Sequence, residues 1–113
     1  MVIDETADIV EAAAEPGGTT PKPAMKLGLV TYQLAQDWDI DTIIKNCRAA
    51  KFQGVELRTS HAHKVEVTLS KAERETVRRR FADSKVELMG LGSAFDYHTP
   101  DSEKLKRDIA ATR

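Results

Sequence analysis

Charged residues and two closely spaced histidines follow one another in the stretch around residues 54–63. Residues 54–58 read Gly-Val-Glu-Leu-Arg, and His61 and His63 come shortly after them. Because side chains alternate along a β-strand, Glu56 and Arg58 are predicted to share one face of a strand. A carboxylate, a guanidinium and two imidazoles at the end of a strand could bind a polar ligand, transfer protons near neutral pH or contribute to a metal site.

Each of these roles has a simpler alternative. A His-x-His pair is a weak metal signal by itself because zinc sites usually use three or four protein ligands, and His61 and His63 could be loop residues that face solvent. Glu56 could form an internal ion pair with Arg58 instead of acting on a ligand. The residue types alone leave these alternatives open.

Three predicted strands position these residues. Largely apolar stretches at residues 26–32, 54–58 and 86–91 are typical of strands that are covered on both faces. In parallel α/β sheets ligands bind at the carboxyl ends of the strands. The side chains predicted at those ends fall into three groups, which are Tyr32 with Gln33, then Glu56, Arg58, His61 and His63, and finally Asp96 with His98.

Capping patterns predict where three helices begin. Asp39 is suited to cap the first helix, and Ser70 with Glu73 forms the capping-box pattern of the second. Thr99 is predicted to cap the third helix, with Pro100 at its first position. The resulting alternation of strands and helices is typical of a parallel sheet with right-handed crossovers.

Composition excludes several classes of function. The 113 residues contain 17 basic and 18 acidic residues, and this balance gives no general attraction to nucleic acid or anionic membranes. No apolar run approaches the ~20 residues of a membrane span. The single cysteine, Cys47, falls on the apolar stripe of the first helix and is more typical of a buried core residue than of a nucleophile. The arginine run at residues 78–80 could indicate nucleic-acid binding, but Glu75 lies one helical turn before Arg79, which favours a solvated helix.

Residues 1–24 form a predicted disordered extension or linker because they include a tract rich in Pro, Gly and Thr. They lack the basic start and continuous apolar centre of a secretory signal. A cytoplasmic location is therefore the default expectation, and export to a periplasm stays open.

Five segments carry a resemblance to a known family: Met-Lys-Leu-Gly-Leu-Val-Thr-Tyr at residues 25–32, Gly-Val-Glu-Leu-Arg at 54–58, His-Ala-His at 61–63, Gly-Leu-Gly at 90–92 and Tyr-His at 97–98. Over roughly residues 25–113 the chain resembles the sugar phosphate isomerase/epimerase family of the xylose isomerase-like TIM barrels. The resemblance implies an α/β fold that supplies the N-terminal three β/α units of a (β/α)8 barrel, incomplete in this chain. A barrel takes about 200 residues or more, so we expect the front of a longer protein, inactive alone. The alternative is a small three-stranded α/β domain.

The implied activity interconverts keto and aldo sugars or inverts a carbon beside a carbonyl. The resemblance implies a divalent metal (Mn, Mg, Co or Zn) held mainly by later strands, so no metal ligand and no catalytic residue is assigned to this chain. The partner is expected to be a sugar or sugar phosphate, not nucleic acid or a membrane, and a homo-oligomer stays open. The residues expected to contact the substrate are Glu56, Arg58, His61, His63 and His98.

Three other activities are compatible with the same resemblance. A lyase or dehydratase acting on a keto-sugar or inosose cannot be separated from an isomerase by these residues. An endonuclease IV-like DNA repair enzyme predicts basic loops at the strand ends, which this chain lacks. A barrel that binds a sugar without converting it is the non-enzymatic alternative.

Overall fold

A computed structural model describes Pro21 and residues 24–113 of the chain. The elements along the chain are β1 (Gly28–Val30), α1 (Ile40–Ala49), β2 (Gly54–Arg58), α2 (Lys71–Ser84), β3 (Glu87–Gly92) and α3 (Ser102–Thr112). The strands form one parallel sheet in the order β1-β2-β3, so β2 is central. The predicted disordered extension at residues 1–24 lies almost entirely outside the described residues.

The core lies on one face of the sheet. Val55 and Leu57 of β2 are completely buried, and they pack in one cluster with Ile43 and Cys47 of α1 and Phe81 of α2. The alternation predicted for β2 is therefore confirmed, and so is the burial of Cys47. Glu56 and Arg58 project from the opposite face of β2, which these helices do not cover.

Two of the predicted helix starts are confirmed by their hydrogen bonds. The Asp39 carboxylate accepts a hydrogen bond of 2.8 Å from the Thr42 backbone N–H. At α2, the Ser70 hydroxyl accepts from the Glu73 N–H at 3.2 Å, and the Glu73 carboxylate accepts from the Ser70 N–H at 2.7 Å. These side chains satisfy backbone donors that a helix start leaves without intrahelical partners.

The prediction that Thr99 caps the third helix is wrong. Asp101 is the N-cap of α3, and its carboxylate accepts from the backbone N–H groups of Glu103 and Lys104. The Thr99 hydroxyl instead accepts from the Asp101 N–H at 3.3 Å, in the turn before the helix. A carboxylate two residues downstream therefore takes the capping position that the sequence assigned to Thr99.

The expected fold, the first three β/α units of a TIM barrel, is wrong for the described residues. They form a small α/β structure with an open three-stranded parallel sheet. Barrel closure requires every strand to pair on both sides, but among the described residues β1 and β3 each pair on one side alone. In addition, α3 buries none of its residues, so α1 and α2 are the helices that supply the core.

Among residues 24–113 no helix is long and apolar enough to cross a bilayer.

A register shift in β3 determines what lies beside the charged residues of β2. Val55 pairs with Leu88, but Glu56 pairs with Gly90, so Met89 is an extra residue in the ladder. The shift places Gly92 opposite Arg58. The charged side chains of β2 therefore have glycines, which lack side chains, as neighbours on β3.

Candidate functional site

The carboxyl ends of β1 and β2 bring together a group of polar side chains, here called the strand-end cluster. Its members are Thr31, Tyr32, Glu56, Arg58, His61 and His63. The sequence predicted that Tyr32 and the charged and histidine residues would lie at the strand ends. Hydrogen bonds, a cation–π contact and an edge-to-face ring contact join five of these residues. The sixth, Glu56, accepts a hydrogen bond from the Thr31 N–H through its backbone carbonyl.

Glu56 and Arg58 lie on either side of Gly92 without neutralising each other. A Cβ atom at Gly92 would lie 3.0 Å from Glu56 Oε1 and 3.1 Å from Arg58 Cδ. Among the described residues no ion pair joins the two charges or links either to another residue. The internal ion pair considered as an alternative role for Glu56 is therefore not formed.

The charged ends of both residues are accessible to solvent. Glu56 and Arg58 are half-buried, and no buried side-chain nitrogen or oxygen in the described part of the chain lacks a hydrogen-bond partner. The Glu56 and Arg58 side chains form no hydrogen bond with the described residues. If their charged atoms were buried, those atoms would lack a partner, so the carboxylate and the guanidinium must reach the surface. Both groups can therefore be approached by a ligand.

Tyr32 holds the guanidinium of Arg58 from the side of β1. The Arg58 Cζ atom lies 5.3 Å from the centre of the Tyr32 ring, within the range of a cation–π interaction. Tyr32 itself is 57% exposed. The contact orients the guanidinium while leaving its N–H groups available.

The backbone of Arg58 is held by two side chains of the cluster, Thr31 and His63. Its N–H donates a hydrogen bond of 2.9 Å to Thr31 Oγ1, which is also 3.1 Å from His61 Nδ1. Its carbonyl accepts a hydrogen bond of 2.7 Å from His63 Nε2. The residue that carries the positive charge is therefore fixed on both sides of its Cα atom.

His63 has no ring nitrogen left for a ligand. The Val65 N–H donates to His63 Nδ1 at 2.9 Å, so Nδ1 accepts and the proton of the neutral ring is on Nε2, which donates to the Arg58 carbonyl. Burial lowers the pKa of His63 below its ordinary value, an effect opposed by the hydrogen bond to the Arg58 carbonyl. His63 is therefore not a loop residue that faces solvent, and neither of its ring nitrogens is free to contact a ligand.

His61 is the histidine of the cluster that can reach a ligand. Its ring meets the His63 ring edge to face, with centroids 5.8 Å apart. It is partly exposed, and within residues 24–113 its Nε2 atom forms no hydrogen bond. One ring nitrogen is therefore held by Thr31, and the other faces solvent.

His98 makes no described contact with the strand-end cluster. Its side chain is 95% exposed, and its Nδ1 atom is 3.2 Å from the carboxylate of Asp96. No hydrogen bond or ion pair in the described region connects His98 or Asp96 to Glu56, Arg58 or His61. The prediction that His98 contacts substrate stays a prediction.

The described residues do not fit the divalent metal that the resemblance implies. Such a metal is held by several nitrogen or oxygen ligands, and no group of three or more His, Cys, Asp and Glu residues in the described part of the chain could hold one. The spacing of His61 and His63 suggested metal binding, but both nitrogens of His63 are engaged by the backbone. The chemistry of the cluster is therefore that of a carboxylate, a guanidinium and one accessible imidazole.

Comparison with known proteins adds no relative, since no family model, curated protein or solved structure matches the chain.

The sequence did not identify two residues that contribute to the site. Thr31 was assigned only to an apolar strand, because its hydroxyl bonds to Arg58 and His61, which are distant in the sequence and meet it only in the folded sheet. Gly92 gave no signal, because its place beside Arg58 depends on the register shift in β3.

Proposed function

We propose that this protein is a sugar or sugar phosphate isomerase or epimerase and that the strand-end cluster binds its substrate. One observation carries the proposal: Glu56 and Arg58 lie beside each other on the uncovered face of the sheet without forming an ion pair. Because both charged ends reach solvent, neither needs an internal partner, and both stay available to a polar ligand. The family resemblance of the sequence supports the same substrate class.

The two charged groups suit the two kinds of polar group on a sugar phosphate. The planar guanidinium of Arg58 can bind two phosphate oxygens at once. The Glu56 carboxylate accepts hydrogen bonds and is suited to sugar hydroxyls. His61 offers a further polar contact through its exposed nitrogen.

Isomerisation and epimerisation both remove a proton from a carbon beside a carbonyl. In the cluster, Glu56 is the carboxylate that can accept this proton, and His61 is the group that can hydrogen-bond an enediolate oxygen while Arg58 holds the phosphate. No step is assigned to a metal, because the described residues do not supply a ligand set for one.

Exchange with heavy water tests the proposal on the whole chain. The protein is incubated in D2O with a panel of ketose and aldose phosphates, with and without Mg²⁺ or Mn²⁺, and deuterium at the carbon beside the carbonyl is followed by proton NMR. In contrast to the inactivity expected of a barrel fragment, the proposal predicts exchange with at least one sugar and its loss in Glu56→Gln. Glu87→Gln is the matched control, because Glu87 lies at the opposite end of the sheet and pairs with Lys26.

Two other outcomes would change the assignment. Binding without deuterium exchange would favour a non-catalytic sugar-binding protein. A dehydrated product would identify a lyase. Absence of both binding and exchange across the panel would overturn the proposal.

A further inference from the structure

Thr31 is the completely buried polar residue of the strand-end cluster. We infer that Thr31 is a positioning residue: its hydroxyl fixes His61 in the tautomer with the proton on Nε2, so that this ring presents an N–H donor at the ligand-binding end of the sheet. The identity of the ligand rests on the proposed function. The tautomer itself follows from hydrogen bonds within the chain.

The hydrogen bonds of the hydroxyl determine its direction of donation. A threonine hydroxyl has one hydrogen to donate and two lone pairs that accept. One lone pair accepts the Arg58 backbone N–H at 2.9 Å. The residue is 0% exposed, so its hydrogen needs a partner within the protein, and His61 Nδ1 at 3.1 Å is the acceptor that the described residues supply.

The strand ladder explains why this hydroxyl is available. The Thr31 N–H donates to the Glu56 carbonyl at 3.1 Å, as in a regular parallel ladder. The Thr31 carbonyl then accepts from the Ala35 N–H at 3.1 Å, which begins the turn after β1. Because that carbonyl is engaged in the turn, the Thr31 side chain replaces it as the acceptor for the Arg58 N–H.

The consequence for the site is a fixed pattern of donors and acceptors. A neutral imidazole that accepts at Nδ1 must carry its proton at Nε2. His61 then adds an N–H donor to those of the Arg58 guanidinium, while Glu56 supplies the acceptor. An oxygen-rich anionic or carbonyl group is the chemistry that matches the two donors.

NMR of the full chain with ¹⁵N-labelled histidine reads the tautomer directly, without any ligand. Two-bond proton–nitrogen correlations separate a proton on Nε2 from one on Nδ1. At neutral pH we expect His61 to carry its proton on Nε2 in the wild type and in Thr31→Ser, which retains the hydroxyl. In Thr31→Val we expect a mixture of both tautomers, while exposed His98 keeps its wild-type signals.

Two results would overturn the inference: a proton on Nδ1 of His61 in the wild type, or an unchanged tautomer in a folded Thr31→Val variant. Valine has nearly the size of threonine, so a valine variant that fails to fold would reflect the lost hydroxyl, and the wild-type and Thr31→Ser spectra still distinguish the two tautomers in that case. Because these spectra need no sugar, they succeed or fail independently of the proposed function.

Ligand affinity then connects the tautomer to the proposed site. Loss of one oriented donor should weaken binding of a ketose phosphate about fivefold in Thr31→Val and leave Thr31→Ser close to the wild type. Equal affinity of the valine variant and the wild type would show that the His61 donor does not face the ligand. If the wild type binds no sugar phosphate at all, the proposed function fails while the tautomer assignment stands.

Discussion

His63 supports Arg58 from inside the protein, through a hydrogen bond of 2.7 Å from its Nε2 atom to the Arg58 carbonyl oxygen. The imidazole is 6% exposed and receives a second hydrogen bond at Nδ1 from the Val65 N–H. A histidine that looks like a ligand residue in the sequence therefore holds the backbone from which the guanidinium projects. The role of His63 is therefore to stabilise the fold and to position Arg58.

Acidification should destabilise the protein through His63. Burial holds the pKa of His63 in the folded state below its ordinary value of 6.5. The unfolded chain therefore binds more protons than the folded chain in this window, so the free energy of unfolding rises with pH. We expect stability to fall as the pH drops below about 6.5 and to continue falling until the lowered folded-state pKa is passed.

Urea unfolding between pH 7.5 and 5 measures this effect. His63→Gln retains an amide donor for the Arg58 carbonyl but does not titrate, so its unfolding midpoint should depend less on pH in this window. His98→Gln makes the same substitution at an exposed ring and controls for the change of residue type. The lowered pKa values of Asp39, Glu73, Glu75 and Asp108 act mainly below about pH 5, and they affect the wild type and His63→Gln alike, so they cancel in the comparison. Identical slopes for wild type and His63→Gln would contradict the prediction.

The Tyr32 ring should contribute to ligand affinity by orienting Arg58. Tyr32→Phe keeps the ring beneath the guanidinium, whereas Tyr32→Leu removes it. A cation–π contact at an exposed site is worth about 0.5–1 kcal/mol, so the leucine variant should bind sugar phosphates about two- to fivefold more weakly. Calorimetric titration of both variants tests this, and a phenylalanine variant as weak as the leucine one would assign the effect to the hydroxyl.

Features set by neighbouring residues were predicted correctly from the sequence. The alternation of β2, the caps at Asp39 and Ser70 and the burial of Cys47 depend on contacts within one element or one apolar stripe. Strand and helix periods report such contacts directly. The start of α3 was missed because two residues close together, Thr99 and Asp101, can both act as caps.

Features that depend on pairing between elements could not be predicted. The roles of Gly92 and Thr31 depend on which residues of neighbouring strands lie opposite each other, and the extra residue Met89 shifts that register. The burial of His63 depends on a loop folding back under the end of β2. The barrel expectation failed for a similar reason, since a repeated strand–helix order does not determine whether a sheet closes.

Two glycines of β3 offer a matched test of the space beside the charged residues. In Gly92→Ala the new methyl group would lie 3.0 Å from Glu56 Oε1 and 3.1 Å from Arg58 Cδ, so both side chains must shift. A methyl group at Gly90 would meet no atom within 4 Å. Neither glycine has a backbone conformation that alanine rarely adopts.

We therefore expect Gly92→Ala to weaken sugar phosphate binding by about two- to threefold, because both side chains must move by a few tenths of an ångström, while Gly90→Ala binds like the wild type. Thermal unfolding should change little in either variant, because the displaced groups at Gly92 are ends of flexible, half-exposed side chains. Binding is measured by calorimetry and folding by circular dichroism on the same samples. Equal weakening by both alanines would locate the effect in the β3 backbone, whereas unaltered binding by Gly92→Ala would contradict the prediction that the space beside Gly92 determines how Glu56 and Arg58 meet the ligand.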